Sequence, residues 1–388
     1  MKHIVFLAEH LSFGGAERAL VEILNHIDTQ KYKVTLIIRD DFGEDNYLLK
    51  LVPNAVQVMF LYKKEEKYIN KKNLNCFQRF HNYLRKKFPK YDLKIRFDEA
   101  FDLIGHIDLI IDFTSVLIKQ AYYFRRYRKV YWIHGPKTHM DRIELAKFGM
   151  RLRSYDLVAA VSGHLKAEVE QLIPRLRGHV VTLYNPFDFS RIASSSVDET
   201  ELSPDDLKLL NERYILAVGR FALEKDYQNL IKAFQILKSE GVNYKLFIIG
   251  DGTEKGNVEE FIKKNDMAND VILLGRRKNP YIWMKHSILF VHSANVEGFG
   301  LVIVEAMALG KAVVVTDSPV GPREILSNGD YGVLVPPKNP VAMAEGIRKL
   351  IKDPGLMNEY QEKSLQRAGQ YSTDSVMPEL YKMIDSLV

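Results

Sequence analysis

Two carboxylates eight positions apart, Glu297 and Glu305, bracket a glycine loop and the start of an apolar run, Glu297-Gly298-Phe299-Gly300-Leu301-Val302-Ile303-Val304-Glu305. The apolar residues from Leu301 onward predict a buried helix, with Gly298 and Gly300 opening the loop before it. Glu297 then belongs to the loop at the positive end of that helix, and Glu305 lies one turn inside, about 6 Å along the axis. A diphosphate held at the helix N-terminus would have Glu297 on one side and Glu305 on the other. A plainer reading makes Glu297 a helix-capping acid and Glu305 a partner of Arg323. Neither of those roles requires the flanking glycines.

Two cations flank a second loop, Val218-Gly219-Arg220-Phe221-Ala222-Leu223-Glu224-Lys225, directly after an apolar strand. A guanidinium and an ammonium in one strand-to-helix loop can neutralise a departing diphosphate without a metal. The alternative is an ordinary solvated loop. A third segment, Ser12-Phe13-Gly14-Gly15-Ala16-Glu17-Arg18, follows the first strand and opens the first helix. Its glycines let backbone approach a ligand, or merely make a tight turn. The dinucleotide pattern G-x-G-x-x-G is not met there, although Asp40 ends the second strand.

The elements that carry these loops are legible as alternation. In the first half, apolar runs at Ile4–Ala8, Val34–Ile38, Leu109–Ile111, Val130–Ile133, Leu157–Val161 and Val180–Leu183 predict strands separated by helical segments. The helix beginning near Ala16 places Ala16, Leu20, Ile23, Leu24 and Ile27 on one face. Tyr184-Asn185-Pro186 breaks the pattern, and residues 187–212 read as linker and surface helix. The grammar then restarts at Tyr214–Val218, Lys245–Ile249, Val271–Leu274, Leu289–Val291, Ala312–Val315 and Val333–Val335. Near-continuous apolar strands alternating with helices predict parallel α/β sheets in two successive doubly wound domains, with ligand in a cleft at the strands' carboxyl ends.

Composition agrees. The 388 residues, 46% apolar and 27% charged, suit two soluble domains. The single cysteine, Cys76, excludes an intrachain disulfide framework and a Cys-based zinc site and fits a reducing compartment. The amino-terminal apolar stretch is too short for a signal peptide, and no apolar run is long enough to span a bilayer. The net charge of +6 is uneven: residues 1–186 carry 31 Lys and Arg against 21 acids, and residues 187–388 carry 24 against 28. An anionic surface is therefore expected to meet the first half only. No zinc module, RNP-type motif or arginine-rich tail points to nucleic acid. Residues 62–96 hold twelve basic residues against three acids, interleaved with aromatics, and Tyr122-Tyr123-Phe124-Arg125-Arg126-Tyr127-Arg128-Lys129 has the same character. Such clusters suit an anionic lipid layer, or else are solvated faces.

The carboxylate segment, EGFGLVIVEAMALGKAVVVTD, resembles the Glu-x7-Glu motif of retaining glycosyltransferases of family 4 with the GT-B fold. Other landmarks follow in the family's order: the GGAER loop, His134 after Trp132-Ile133, Val161-Ser162, Tyr184-Asn185-Pro186, Gly219-Arg220 with Lys225, Gly250-Asp251-Gly252, Gly275-Arg276 and Gly321-Pro322-Arg323-Glu324-Ile325. The resemblance covers essentially the whole chain and is thinnest over residues 42–105. The loop Pro319-Val320-Gly321-Pro322 departs from the more widespread form with two adjacent glycines. It implies two Rossmann-like domains facing each other across a cleft: an acceptor-side domain over 1–186, a nucleotide-sugar domain over 187–371, and a C-terminal helix at about 372–388 packing back on the first. It implies further that Arg220 and Lys225 hold the donor diphosphate and that Glu305 binds the ribose. Glu297, with backbone at Phe299 and Gly300, would hold the transferred sugar, and the N–H groups of Leu301 and Val302 would face phosphate. Gly15 would approach the donor from the other domain, backbone near Arg276 would receive the base, and His134 would serve near sugar and acceptor. With no Asp-x-Asp triplet and no cluster at metal spacing, no metal or cofactor is expected. The expected activity is retaining transfer from a nucleotide sugar, by family default UDP-linked, to a lipid-linked or lipopolysaccharide-type acceptor. The expected place is the cytoplasmic face of a membrane, with an anionic lipid surface and no nucleic acid as partner. A nucleotide-sugar epimerase of the same architecture is the competing activity, but it gives no reason for the paired glutamates. A nicotinamide oxidoreductase lacks its fingerprint.

Overall fold

A computed structural model describes residues 1–12, 14–63, 89–318 and 320–388. The chain divides into two compact units, the first built from residues 1–161, 166–186 and 376–388 and the second from 162–165 and 187–375.

The first unit holds a seven-stranded sheet of β1 (Lys2–Ala8), β2 (Tyr32–Asp40), β3 (Gln57–Tyr62), β4 (Leu109–Asp112), β5 (Arg128–Ile133), β6 (Leu157–Ala160) and β7 (Val180–Thr182) in the order β3-β2-β1-β4-β5-β6-β7. Every pairing is parallel, with Ile4 opposite Val34 on one side and Leu109 on the other. Ile4 to Ala8 are all fully buried, which is why β1 reads as an unbroken apolar run. The edge strand β3 is absent from the strands predicted above although Val58-Met59-Phe60-Leu61-Tyr62 is a continuous apolar run, and as an edge strand it is only half-buried. The helix Thr373–Leu387 completes this unit: Tyr32 OH and Lys31 Nζ donate to Asp385, Tyr381 OH donates to the His26 carbonyl, and the Tyr32 and Tyr381 rings stack at 5.7 Å.

The second unit holds a six-stranded parallel sheet of β8 (Tyr214–Val218), β9 (Lys245–Ile249), β10 (Val271–Gly275), β11 (Phe290–His292), β12 (Val313–Thr316) and β13 (Val333–Val335), ordered β10-β9-β8-β11-β12-β13. The core gathers Ile215, Leu230, Phe234, Ile248, Val291, Val314 and Ile347. Residues 187–212 are more ordered than a linker. They form helices Phe189–Ser195 and Pro204–Leu210, capped by Asp188 and Ser203, and buried Asp206 accepts from Arg277 at 2.6 and 3.0 Å. In each sheet the chain starts in the middle, runs to one edge, returns and continues to the other. This is the Rossmann order, and it leaves a crevice where the order reverses, between β1 and β4 and between β8 and β11.

Candidate active site

At the β8/β11 reversal the loops leaving the two strands are stitched together. Ser293 Oγ donates to the Lys225 carbonyl at 2.7 Å, Asn295 N–H to the Glu224 carbonyl at 2.7 Å, and Asn295 Nδ2 to Asp226 Oδ2 at 2.9 Å. Asp226 takes the left-handed conformation (φ +47°) and caps the helix Tyr227–Ser239, which turns the loop so that Lys225 points back along the crevice. Lys225 Nζ thereby donates to Glu297 Oε2. The same oxygen receives His292 Nε2 at 3.0 Å, and among the described residues Glu297 Oε1 receives only the Gly298 N–H, at 3.2 Å. Burial by itself would raise the Glu297 carboxyl. The adjacent Lys225 ammonium and the His292 hydrogen bond overcome that and hold it far below the ordinary carboxylate range. Burial lowers the His292 imidazole, partly offset by its bond to Glu297.

Beyond Glu297 the backbone turns through Gly300 at φ +100°, where a Cβ would lie 2.7 Å from Ile303 Cδ1, and enters the helix Leu301–Ala308. Phe299 is buried against Tyr371. Gly321 runs beneath it, so close that a Cβ there would lie 2.1 Å from the Phe299 carbonyl oxygen. Val320, at φ +84°, forms an isolated parallel bridge with Glu297 and braces its backbone. Leu301 and Val302 occupy the first helical turn, whose N–H groups have no partner within the helix. Glu305 is 4% exposed and accepts from Tyr281 OH at 3.2 Å. Arg323 pairs with Asp317 instead of Glu305. That pairing removes the plain reading of Glu305 as Arg323's partner.

The other expected residues fall into two groups. Arg220 lies in the Lys225 loop, is 70% exposed at its side chain and pairs with Glu224 at 3.0 Å. Arg276 is exposed just beyond β10. Its neighbour Arg277 is occupied by Asp206 and by the Trp283 ring at 5.3 Å. His134 and Gly15 belong to the first unit. His134 Nε2 donates to the Phe113 carbonyl at 2.8 Å, which leaves Nδ1 as the acceptor of a neutral ring. Burial lowers its pKa to about 4 against that carbonyl bond. Gly15 begins the helix Gly15–His26, and the Glu17 carboxylate folds onto Gly14, where a Cβ would meet Glu17 Oε2 at 1.9 Å.

The structure thus gathers Lys225, Glu297, Phe299, Gly300, Leu301 and Val302 around one helix entrance, with Glu305 a turn inside. It adds His292 and Tyr281, which motif reasoning missed. His292 carried a usable signal, since a histidine ending an apolar strand lies where doubly wound sheets place ligands. Tyr281 carried none.

Two Rossmann-ordered sheets, each with a crevice at its reversal point, make up the GT-B fold of glycosyltransferases. The chain belongs to glycosyltransferase family 4: residues 13–191 match the model described as Glycosyltransferase Family 4, and residues 198–368 match that of Glycosyl transferases group 1. It is 30% identical over 384 residues, 96% of this chain and 97% of the other, to the Campylobacter jejuni N-acetylgalactosamine-N,N'-diacetylbacillosaminyl-diphospho-undecaprenol 4-alpha-N-acetylgalactosaminyltransferase. It is also 30% identical over 198 residues, 50% of this chain and 51% of the other, to the capsular polysaccharide biosynthesis glycosyltransferase CapM of Staphylococcus aureus. Among solved structures, Anabaena HepE in complex with UDP-glucose superposes with a TM-score of 0.78 at 22% identity, covering 100% of both chains. That likeness carries the GT-B fold.

Proposed function

We propose that this glycosyltransferase moves a sugar from a UDP-sugar, with retention of anomeric configuration, onto a lipid-linked glycan acceptor. The observation that carries the reading is the Lys225–Glu297–His292 cluster at the mouth of the helix Leu301–Ala308. Glu297 holds hydroxyls of the transferred sugar, Phe299 and Gly300 supply backbone beside it, and Glu305 takes the ribose. The diphosphate lies at the N–H groups of Leu301 and Val302, where the helix dipole favours an anion. Lys225 has three N–H bonds and spends one on Glu297. The remaining two, with the exposed guanidinium of Arg220, neutralise the leaving diphosphate and take the part a divalent ion plays elsewhere. The bond between the anomeric carbon and the diphosphate oxygen breaks, the acceptor hydroxyl oxygen takes its place on the same face of the sugar, and the hydroxyl proton passes to the departing diphosphate. Backbone near Arg276 receives the base, and Gly15 and His134 act from the first unit.

The UDP-glucose complex of HepE supports the donor class, and the diphospho-undecaprenol acceptor in the Campylobacter enzyme's name supports the acceptor class. A membrane-facing position is supported by the knuckle Tyr122–Arg126. Tyr122 and Tyr123 are 58% and 55% exposed, Arg125 covers the Tyr122 ring at 3.9 Å, and Arg126 covers Tyr127 at 4.8 Å. Lys129, expected among the surface cations of this cluster, is buried instead. Its ammonium donates to the Phe124 and Tyr127 carbonyls and so closes the turn that presents the tyrosines. Most of the second basic cluster, residues 64–88, lies outside the described residues. Among the described residues no helix is long and apolar enough to cross a membrane, so the knuckle would attach the protein to the cytoplasmic face of an anionic bilayer.

The test is transfer from a panel of UDP-sugars to a polyprenyl-diphosphate-linked saccharide in excess chelator, with the anomeric proton coupling of the product read by NMR. An α-linked product formed from an α-linked donor without added metal is expected. Dependence on magnesium or manganese, or an inverted product, overturns the reading.

A further inference from the structure

Glu297 has two oxygens, and the structure treats them unequally. Oε2 receives both strong donors, Lys225 Nζ and His292 Nε2, whereas among the described residues Oε1 receives only the N–H of the next residue, at 3.2 Å. We propose that His292 is a positioning residue for the transfer: its Nε2–H pins Oε2 of Glu297 and leaves Oε1 as the oxygen offered to the transferred sugar. The inference rests on the proposed placement of that sugar at Glu297.

Lysine alone cannot set this orientation. Its ammonium swings on a four-carbon stem and bonds equally well from many directions. His292 is the last residue of β11, 4% exposed, with a planar ring on two torsions, so its N–H direction is fixed by the sheet. It reaches Glu297 across the four-residue stretch 293–296, itself tied down through Ser293 and Asn295. The bond also assigns the tautomer. An ionised carboxylate can only accept, so the proton sits on Nε2. Burial, with the neighbouring Lys225 charge, disfavours a second proton on the ring against the pull of Glu297. That neutrality suits the chemistry. Glycosyl transfer develops positive charge on the anomeric carbon. Lys225 already balances Glu297, so an imidazolium would leave the cluster net positive against that charge. A neutral donor aims the carboxylate without adding a cation.

The experiment measures donor KM, kcat and UDP affinity for His292→Leu, His292→Gln and Glu297→Gln. His292→Leu should lower kcat about ten- to hundredfold, the scale of one hydrogen bond to a charged group, with donor KM and UDP affinity changed less than about threefold. His292→Gln, whose amide Nε2 can reach the same oxygen, should recover most of the lost kcat. In the Glu297→Gln background the leucine substitution should have little further effect on residual turnover. Full kcat in His292→Leu alongside an inactive Glu297→Gln overturns the positioning role alone, whereas full kcat in Glu297→Gln overturns the sugar placement on which it rests. Equal loss in the leucine and glutamine variants, with UDP affinity falling in step, marks a merely structural histidine and also overturns it. Independently of any variant, the imidazole ¹⁵N shifts of the wild-type protein should show Nε2 protonated and Nδ1 bare between pH 6 and 8. An imidazolium or the opposite tautomer overturns the inference even if the leucine variant does not fold.

Discussion

The two units share one strand order and solve the reversal point in opposite ways. In the second unit the crevice is lined with charge that is compensated inside the protein: Glu297 is ionised, held by Lys225 and His292, and the loops carrying them are bonded to each other. In the first unit the corresponding strand ends are desolvated, and burial works against charge there. His134 is an uncharged ring beside Phe113 and Trp132, and Asp112, fully buried at the end of β4, is pushed up to about 6 while accepting from Tyr155 OH and from the Val116 and Leu117 N–H groups. The difference matches what each half is proposed to bind. A diphosphate leaving group needs fixed charge placed in advance, and an acceptor hydroxyl needs a shaped, weakly polar wall.

The largest effect expected from breaking this contrast is at its charged pole. Glu297→Ala should lower transfer by about three orders of magnitude or more, leaving UDP binding within a few-fold, because it removes contacts made to the sugar and spares those made to phosphate. Full activity in that variant ends the assignment. Next comes Glu305→Ala, which should weaken donor binding about ten- to hundredfold through loss of a charge-assisted bond, read by calorimetry with UDP. If turnover collapses and affinity holds, the two glutamates have exchanged roles.

The first unit's surface offers a smaller change. Neutralising Arg125 and Arg126 together should weaken binding to anionic vesicles by about thirtyfold, at about 1 kcal/mol per cation. Raising salt should weaken the wild type in the same direction, and equal binding to zwitterionic vesicles would contradict the membrane reading.

A change of pH alone, with no effect expected at neutral pH, sharpens the comparison at its neutral pole. The folded His134 pKa of about 4 lies below the ordinary histidine value of 6.5, so between those values the unfolded chain binds the proton and the folded one does not. Stability from this group is therefore complete above pH 6.5 and is lost as pH falls toward 4, by at most about 3 kcal/mol. Denaturant titrations of wild type and His134→Gln should diverge in that window, with the variant losing less. Parallel pH dependence would show that His134 is not held neutral.

Much of this was legible along the chain. Buried parallel strands must be apolar on both faces, so β1, β8, β9 and β12 announce themselves as runs of Val, Ile and Leu, and the edge strand β3, missing from the predicted set, carries such a run at Val58–Leu61 as well. The glycines before Leu301 and the spacing of Glu297 to Glu305 are likewise local, because one helix entrance carries both. What the sequence could not decide is which side chains meet across loops. Lys225 and Glu297 are brought together because β8 and β11 are neighbours in the sheet, a fact of strand order that no local window contains. The same adjacency delivers His292 to the carboxylate. Burial decides the rest: Lys129 lies in a run of cations that reads as surface, yet it turns inward because two turn carbonyls need a donor there. Composition records that a charge exists, and only packing determines whether it faces water, a partner or a substrate.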